Sequence, residues 1–238
     1  MQKTISVKML AVFMSVILAV GCVAGGTVAW LVAETEDVVN TFTFGDINIK
    51  LDETKLTPDG KPADENGNEL PDGAAPVKTT EGNDYKIVPG TEYLKDPAIT
   101  VLANSEECWL FVTVSESGAS SVTVDNGEGQ APTVTDYTFD DFVEYEMAEG
   151  WNVLKDENGN DVLTAEGAAV YYRSIKMADA DTIVPVLKDN KVTVKPTVTK
   201  PMIDGIPNED SNPKLTFVAY AVQYSGFATA LDAWKVTS

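Results

Sequence analysis

Cys108-Trp-Leu-Phe-Val-Thr-Val114 is the stretch from which the rest of the chain is read. By period-2 alternation Cys108, Leu110, Val112 and Val114 share one face, and Trp109 and Phe111 occupy the other. A strand apolar on both faces is covered on both sides or lies near an interface. The same period recurs on either side of it. Pro97–Leu102 places Ile99 and Val101 together. Lys214–Tyr224 sets Leu215, Phe217, Ala219 and Ala221 against Val218, Tyr220 and Val222. Ala169–Lys176, Thr182–Leu187 and Lys191–Val198 also alternate, and Pro185 consigns its segment to an edge or irregular strand. Asn158-Gly159, between Val153-Leu154 and Val162-Leu163, is a hairpin signal. Tyr137–Met147 fits either a strand or a helical face of Phe139, Phe142 and Val143. Phe227, Leu231 and Trp234, at i, i+4 and i+7, predict a short C-terminal helix. Residues 54–84 carry repeated Pro-Asp-Gly and Asn-Gly signals and read as a loop or flexible insertion. Roughly eight to ten short strands with Gly/Asn/Pro turns predict an all-β domain, a two-sheet sandwich of jelly-roll type closed by that helix.

The N-terminus reads as an address. Lys3 and Lys8 precede an uncharged run, Met9–Ala33, and small residues cluster near its end. Residues 1–33 are therefore assigned as an export signal, and 34–238 as one exported domain. Cleavage after Ala29 or after Ala33 fits the small-residue rule. Two other readings stay open: an uncleaved membrane span, and a lipidated Cys22. After Glu34, Glu36 and Asp37 comes Asn40-Thr-Phe-Thr-Phe-Gly45, in which Phe42 and Phe44 share a face. The apolar phase then shifts to Ile47, Ile49 and Leu51, which predicts a bulge or bend at Gly45-Asp46.

The chain has 238 residues, 17 basic and 37 acidic, no histidine, and a net charge of −20. Without residues 1–33 the balance is 15 basic against 37 acidic, or −22. Such a surface is unsuited to a nucleic-acid backbone. Two cysteines, Cys22 and Cys108, leave the exported domain one thiol and no internal disulfide, and Cys108 reads as buried and inert.

The absence of histidine removes any His-containing triad, HExxH zinc site or imidazole base. No phosphate-cradling glycine loop occurs. Asp64-Glu-Asn-Gly-Asn68 recurs as Asp156-Glu-Asn-Gly-Asn160. Neither copy has glycine at the sixth position of a calcium loop, where Glu69 and Asp161 stand, so both read as Asn-Gly turns. Trp109, Trp151, Trp234 and Tyr220 fit packing better than a sugar platform. The chain is expected to be no enzyme and to need no cofactor or metal.

Three runs together resemble the TasA/camelysin family of exported proteins of Gram-positive bacteria. They are Gly25-Gly-Thr-Val-Ala-Trp30 with Asn40-Thr-Phe-Thr-Phe-Gly45; Ile87-Val-Pro-Gly90 leading through Lys95-Asp-Pro97 and Ile99-Thr-Val101 to Cys108-Trp-Leu-Phe-Val112; and Phe217-Val-Ala-Tyr-Ala-Val-Gln223 with Gly226-Phe227 and Ala233-Trp234. The resemblance implies a dedicated signal peptidase, a jelly-roll domain, and assembly with itself or a related matrix protein into biofilm-matrix fibres. It also points to donor-strand exchange, for which Phe42 and Phe44 are the candidate assembly residues; residues 34–44 can instead pair within their own domain, and the sequence leaves both arrangements open. A monomeric surface adhesion or ligand-binding module, and an accessory protein that anchors or caps fibres, are the alternatives.

Overall fold

In a computed structural model of the chain, residues 46–126 and 130–237 are described. Their order begins with β1 (Ile49–Thr54), β2 (Lys78–Thr79), β3 (Glu92–Leu94), β4 (Ala98–Val101) and β5 (Cys108–Ser117). A ribbon of β6 (Ala119–Val124) and β7 (Thr133–Thr138) leads to helix α1 (Phe139–Phe142), β8 (Val143–Glu144) and β9 (Asn152–Val153). Then come β10 (Ala169–Ile175), β11 (Thr182–Pro185), β12 (Lys191–Val194), helix α2 (Lys200–Asp204), β13 (Lys214–Gln223) and helix α3 (Ala230–Trp234). All these strands pair antiparallel, in four sheets: β11-β4-β1-β2, β13-β5-β10-β9, β3-β12-β8 and β6-β7.

This corrects two expectations. The fold is not a two-sheet sandwich of jelly-roll type, and the C-terminal helix is one of three spread through the chain. The resemblance to the TasA/camelysin family, which implied a jelly roll, falls with it. The physical reason lies in lengths and local chemistry that alternation does not register. β2, β8 and β9 have two residues each, too few to carry a ladder across a wide sheet. In the ambiguous stretch after Tyr137, Asp141 accepts the Thr138 backbone N–H at 2.8 Å, fixing the start of α1 and interrupting the strand. Pro201 stands in the first turn of α2, where its fixed φ suits a helix start. Thr229 caps α3 by accepting the Asp232 N–H at 3.2 Å.

β5 forms the centre of the second sheet, paired along ten residues with β13 and along seven with β10. Its two-sided apolar pattern has a direct cause. Cys108, Leu110 and Val112 enter a main core with Ile99 and Val101 of β4, Val184 of β11, Val192 and Val194 of β12, Phe142 of α1 and Met202 of α2. On the opposite face Phe111 joins Leu154, Val170, Ala230, Ala233 and Trp234, so α3 and the chain beside β9 cover that side. The Phe111 and Trp234 rings lie 5.3 Å apart. Fully burying each large side chain contributes about 1.5–3 kcal/mol, so the twin clusters give β5 its place. Pro185 lies in β11, at the end of its sheet, the position available to a residue without a ladder donor.

Residues 55–70 and 154–168 are built mainly from turns. The Asp64 and Asp156 side chains each accept two backbone N–H groups, from Asn66 and Asn68 and from Asn158 and Asn160, at 2.8–2.9 Å. Gly67 and Gly159 both sit at φ 85°, in the left-handed region glycine tolerates. The repeated pentapeptide is one turn used twice. Among the described residues no helix is long and apolar enough to cross a membrane. The export run 1–33, Cys22, the expected bulge at Gly45, and Phe42 and Phe44 lie outside the described residues.

Candidate functional site

The first and second sheets meet along an open seam. β1 pairs with β4 on one edge, whereas β2 pairs with it only at Glu53 and Thr54. β13 is the end strand of its own sheet. Between β1 and β13 lies a cleft of about 160 Å³, with Leu51, Glu53 and Thr79 on one side, Leu215 and Phe217 on the other, and Lys95 and Pro97 completing the wall.

A buried polar cluster borders the cleft. The Lys95 ammonium donates to both oxygens of Glu53, at 3.0 and 2.8 Å. Lys95 is 7% exposed and Glu53 5%. Asn83 Nδ2 donates to Glu53 Oε1 at 2.9 Å and to the Thr54 carbonyl at 2.8 Å, and its Oδ1 accepts the Leu56 N–H at 2.7 Å. The ammonium lies 5.7 Å from the centre of the Tyr85 ring and 5.8 Å from that of Phe217. Burial, reinforced by the charge of Glu53, pushes the Tyr85 hydroxyl well above its ordinary range, so it remains a phenol and donates to the Leu94 carbonyl at 3.0 Å.

Asp96 forms a second anchor. Burial alone would raise its carboxyl, but the Thr54 hydroxyl and N–H, both at 2.7 Å, and Lys78 at 3.1 Å outweigh it and hold the group below 3.8. A carboxyl with a lowered folded-state pKa contributes stability above its unfolded value, and that contribution is lost as pH falls through the folded value. Acid titration of the wild type should therefore show stability falling below about pH 4. Asp96→Asn should be less stable at neutral pH and lose less on acidification. Parallel losses in both proteins would contradict this role.

The other wall, β13, has an unusual edge. Leu215–Gln223 contains no charged residue, whereas exposed edge strands are ordinarily protected by charge, proline or a bulge. Its core-facing side chains, Leu215, Phe217, Ala219 and Ala221, pack on the main core yet are only half-buried, while Leu110 and Val112 beside them on β5 are fully buried. Val218 on the other face is 44% exposed.

Sequence-derived candidates are dispersed. Cys108 is fully buried, and burial together with Glu107 pushes its thiol up to about 11, which removes it as a nucleophile at neutral pH. Trp234 and Tyr220 belong to the second core, with ring centres 5.4 Å apart. Trp151 donates to the Pro185 carbonyl at 2.9 Å and stacks under Arg173. Trp109 lies against Tyr224 at 4.7 Å. Trp109, Tyr220 and Trp234 all pack on the second cluster, and Trp151 lies apart against the main core. Among the described residues no group of three or more His, Cys, Asp or Glu side chains is placed to hold a metal ion. The Glu53–Lys95–Asn83 cluster has no sequence signature. Lys95 stands 42 residues from Glu53, and each member alone reads as a solvated polar residue.

Comparison of the chain with protein-family models, with curated protein sequences and with solved structures yields no significant match.

Proposed function

We propose that this is an exported structural protein whose subunits join into extracellular fibres, residues 34–44 of one subunit adding to the open edge of β13 in the next. The observation that carries this reading is β13 itself. It is ten residues long, uncharged after Lys214, at the end of its sheet, with its core-facing side chains incompletely covered. Strand addition satisfies such an edge with main-chain hydrogen bonds and buries its alternate side chains. An N-terminal segment that completes a neighbour's sheet makes a head-to-tail contact, which propagates as a filament. The domain's charge of −22 opposes close approach of subunits, so assembly responds to ionic strength. On this reading the chain acts on no external substrate and binds no nucleic acid.

Val218→Lys tests the edge. The side chain is already exposed, so the substitution should change thermal stability by no more than about 0.5 kcal/mol. It places a charge on the strand that is to be paired. Sedimentation and electron microscopy should show fibre yield falling several-fold relative to wild type at equal salt. Undiminished fibres from a folded Val218→Lys protein would remove β13 from the interface.

A further inference from the structure

We propose that Lys95 and Asn83 become joined by a covalent side-chain amide, with Glu53 as the proton carrier. The three side chains already hold the relation that the reaction needs. The attacking nitrogen, Lys95 Nζ, and the leaving nitrogen, Asn83 Nδ2, bond the same oxygen, Glu53 Oε1, at 3.0 and 2.9 Å. One carboxylate can thus take a proton from the first and deliver it to the second. The Asn83 carbonyl oxygen accepts the Leu56 N–H at 2.7 Å, a fixed donor aimed where negative charge develops when Cγ is attacked. The Thr54 carbonyl, 2.8 Å from Nδ2, fixes the plane of the amide. Tyr85 and Phe217 flank the lysine, which is 7% exposed, whereas Asn83 is only half-buried. For the reaction Nζ must leave the carboxylate and come within a near-attack separation of about 3–3.5 Å of Cγ.

The balance closes without any co-reactant. Glu53 takes one proton from the ammonium, and the Nζ lone pair forms a bond to Asn83 Cγ, placing charge on Oδ1 beside the Leu56 N–H. Glu53 passes its proton to Nδ2. The Cγ–Nδ2 bond breaks, its electron pair leaves with ammonia, and the carbonyl re-forms. The second proton shed by Nζ returns to Glu53 and departs with the ammonia as ammonium. Nothing is oxidised or reduced. The product is a secondary amide that closes the chain from residue 83 to residue 95 beside Glu53.

Intact-mass measurement and peptide mapping of the purified, folded chain test this directly. Loss of one ammonia lowers the mass by ~17 Da, and proteolysis should release a branched pair of peptides linked through Lys95 and Asn83, with trypsin unable to cut after Lys95. A succinimide at Asn66-Gly67 or Asn158-Gly159 would lower the mass equally but yield no linked pair. Glu53→Gln and Lys95→Arg should both restore the full mass and separate the peptides. Linear Asn83 and Lys95 peptides from folded wild-type protein would overturn the proposal, and that result is decisive even if a variant fails to fold. A link that persists in Glu53→Gln would overturn the role given to Glu53.

Discussion

Relative to the chain in which Lys95 and Asn83 are not yet joined, Lys95→Met should cost about 3–5 kcal/mol of folding stability, because it strands the Glu53 carboxylate in the interior. With the lysine gone, Glu53, 5% exposed in the native chain, keeps only the Asn83 amide of its two side-chain partners. The loss is a large part of the roughly 5–15 kcal/mol that holds a domain of ordinary stability together. The cluster also joins separate parts of the fold. Glu53 belongs to β1, Lys95 follows β3, and Phe217, whose ring the ammonium approaches, belongs to β13. Its loss should therefore loosen the seam before it loosens the core around β5. The double replacement Lys95→Met with Glu53→Leu removes both charges and should recover most of the deficit measured against the unlinked chain, as replacement of a buried pair by apolar groups often does. Urea denaturation followed by tryptophan fluorescence measures all three proteins, the wild type as the fraction whose intact mass shows no link. A Lys95→Met protein within about 0.5 kcal/mol of wild type would mean that Glu53 finds water in the folded state.

The sequence was most legible where side-chain period alone sets the structure. β4, β5, β10 and β13 all fall where alternation places them, and the two faces of β13 divide between the two cores as their pattern requires. Pro185 marked an edge because the missing N–H is a local property. The partition of strands among sheets was illegible for a different reason. Alternation reports that a segment is extended and half-covered, but not which segment lies beside it. Short strands such as β2 and β8 have almost no period to read. Helix α2 escaped because Lys200-Pro-Met-Ile-Asp204 is a single turn stabilised by Pro201 and by burial of Met202, a signal too brief for a 3.6-residue pattern. The Asn158-Gly159 turn was readable from its dipeptide, and its twin at Asn66-Gly67 follows the same chemistry. The buried cluster was hidden by distance along the chain. Glu53 lies at a strand end, Asn83 in a glycine-rich loop and Lys95 beside Asp96, three contexts that ordinarily mean solvent. Only the tertiary fold brings them to one carboxylate oxygen.

Removing residues 34–44 should abolish fibres outright while leaving the domain folded. These residues precede Gly45–Ser238, which forms one compact unit by itself, so the unit should survive without them. What the shortened chain loses is the segment bearing Phe42 and Phe44. Each would contribute about 1.5–3 kcal/mol if buried in a neighbour as proposed. The proposed acceptor, the uncharged edge from Leu215 to Gln223, stays intact. Two proteins, one beginning at Glu34 and one at Gly45, are compared by electron microscopy and sedimentation across a range of salt concentrations. The longer chain is expected to form fibres more readily as salt screens its charge. The shorter chain should remain in soluble units that take up an added 34–44 peptide. Equal fibre formation by both proteins would contradict the donor role of residues 34–44, and soluble monomers from both at every salt concentration would contradict self-assembly itself.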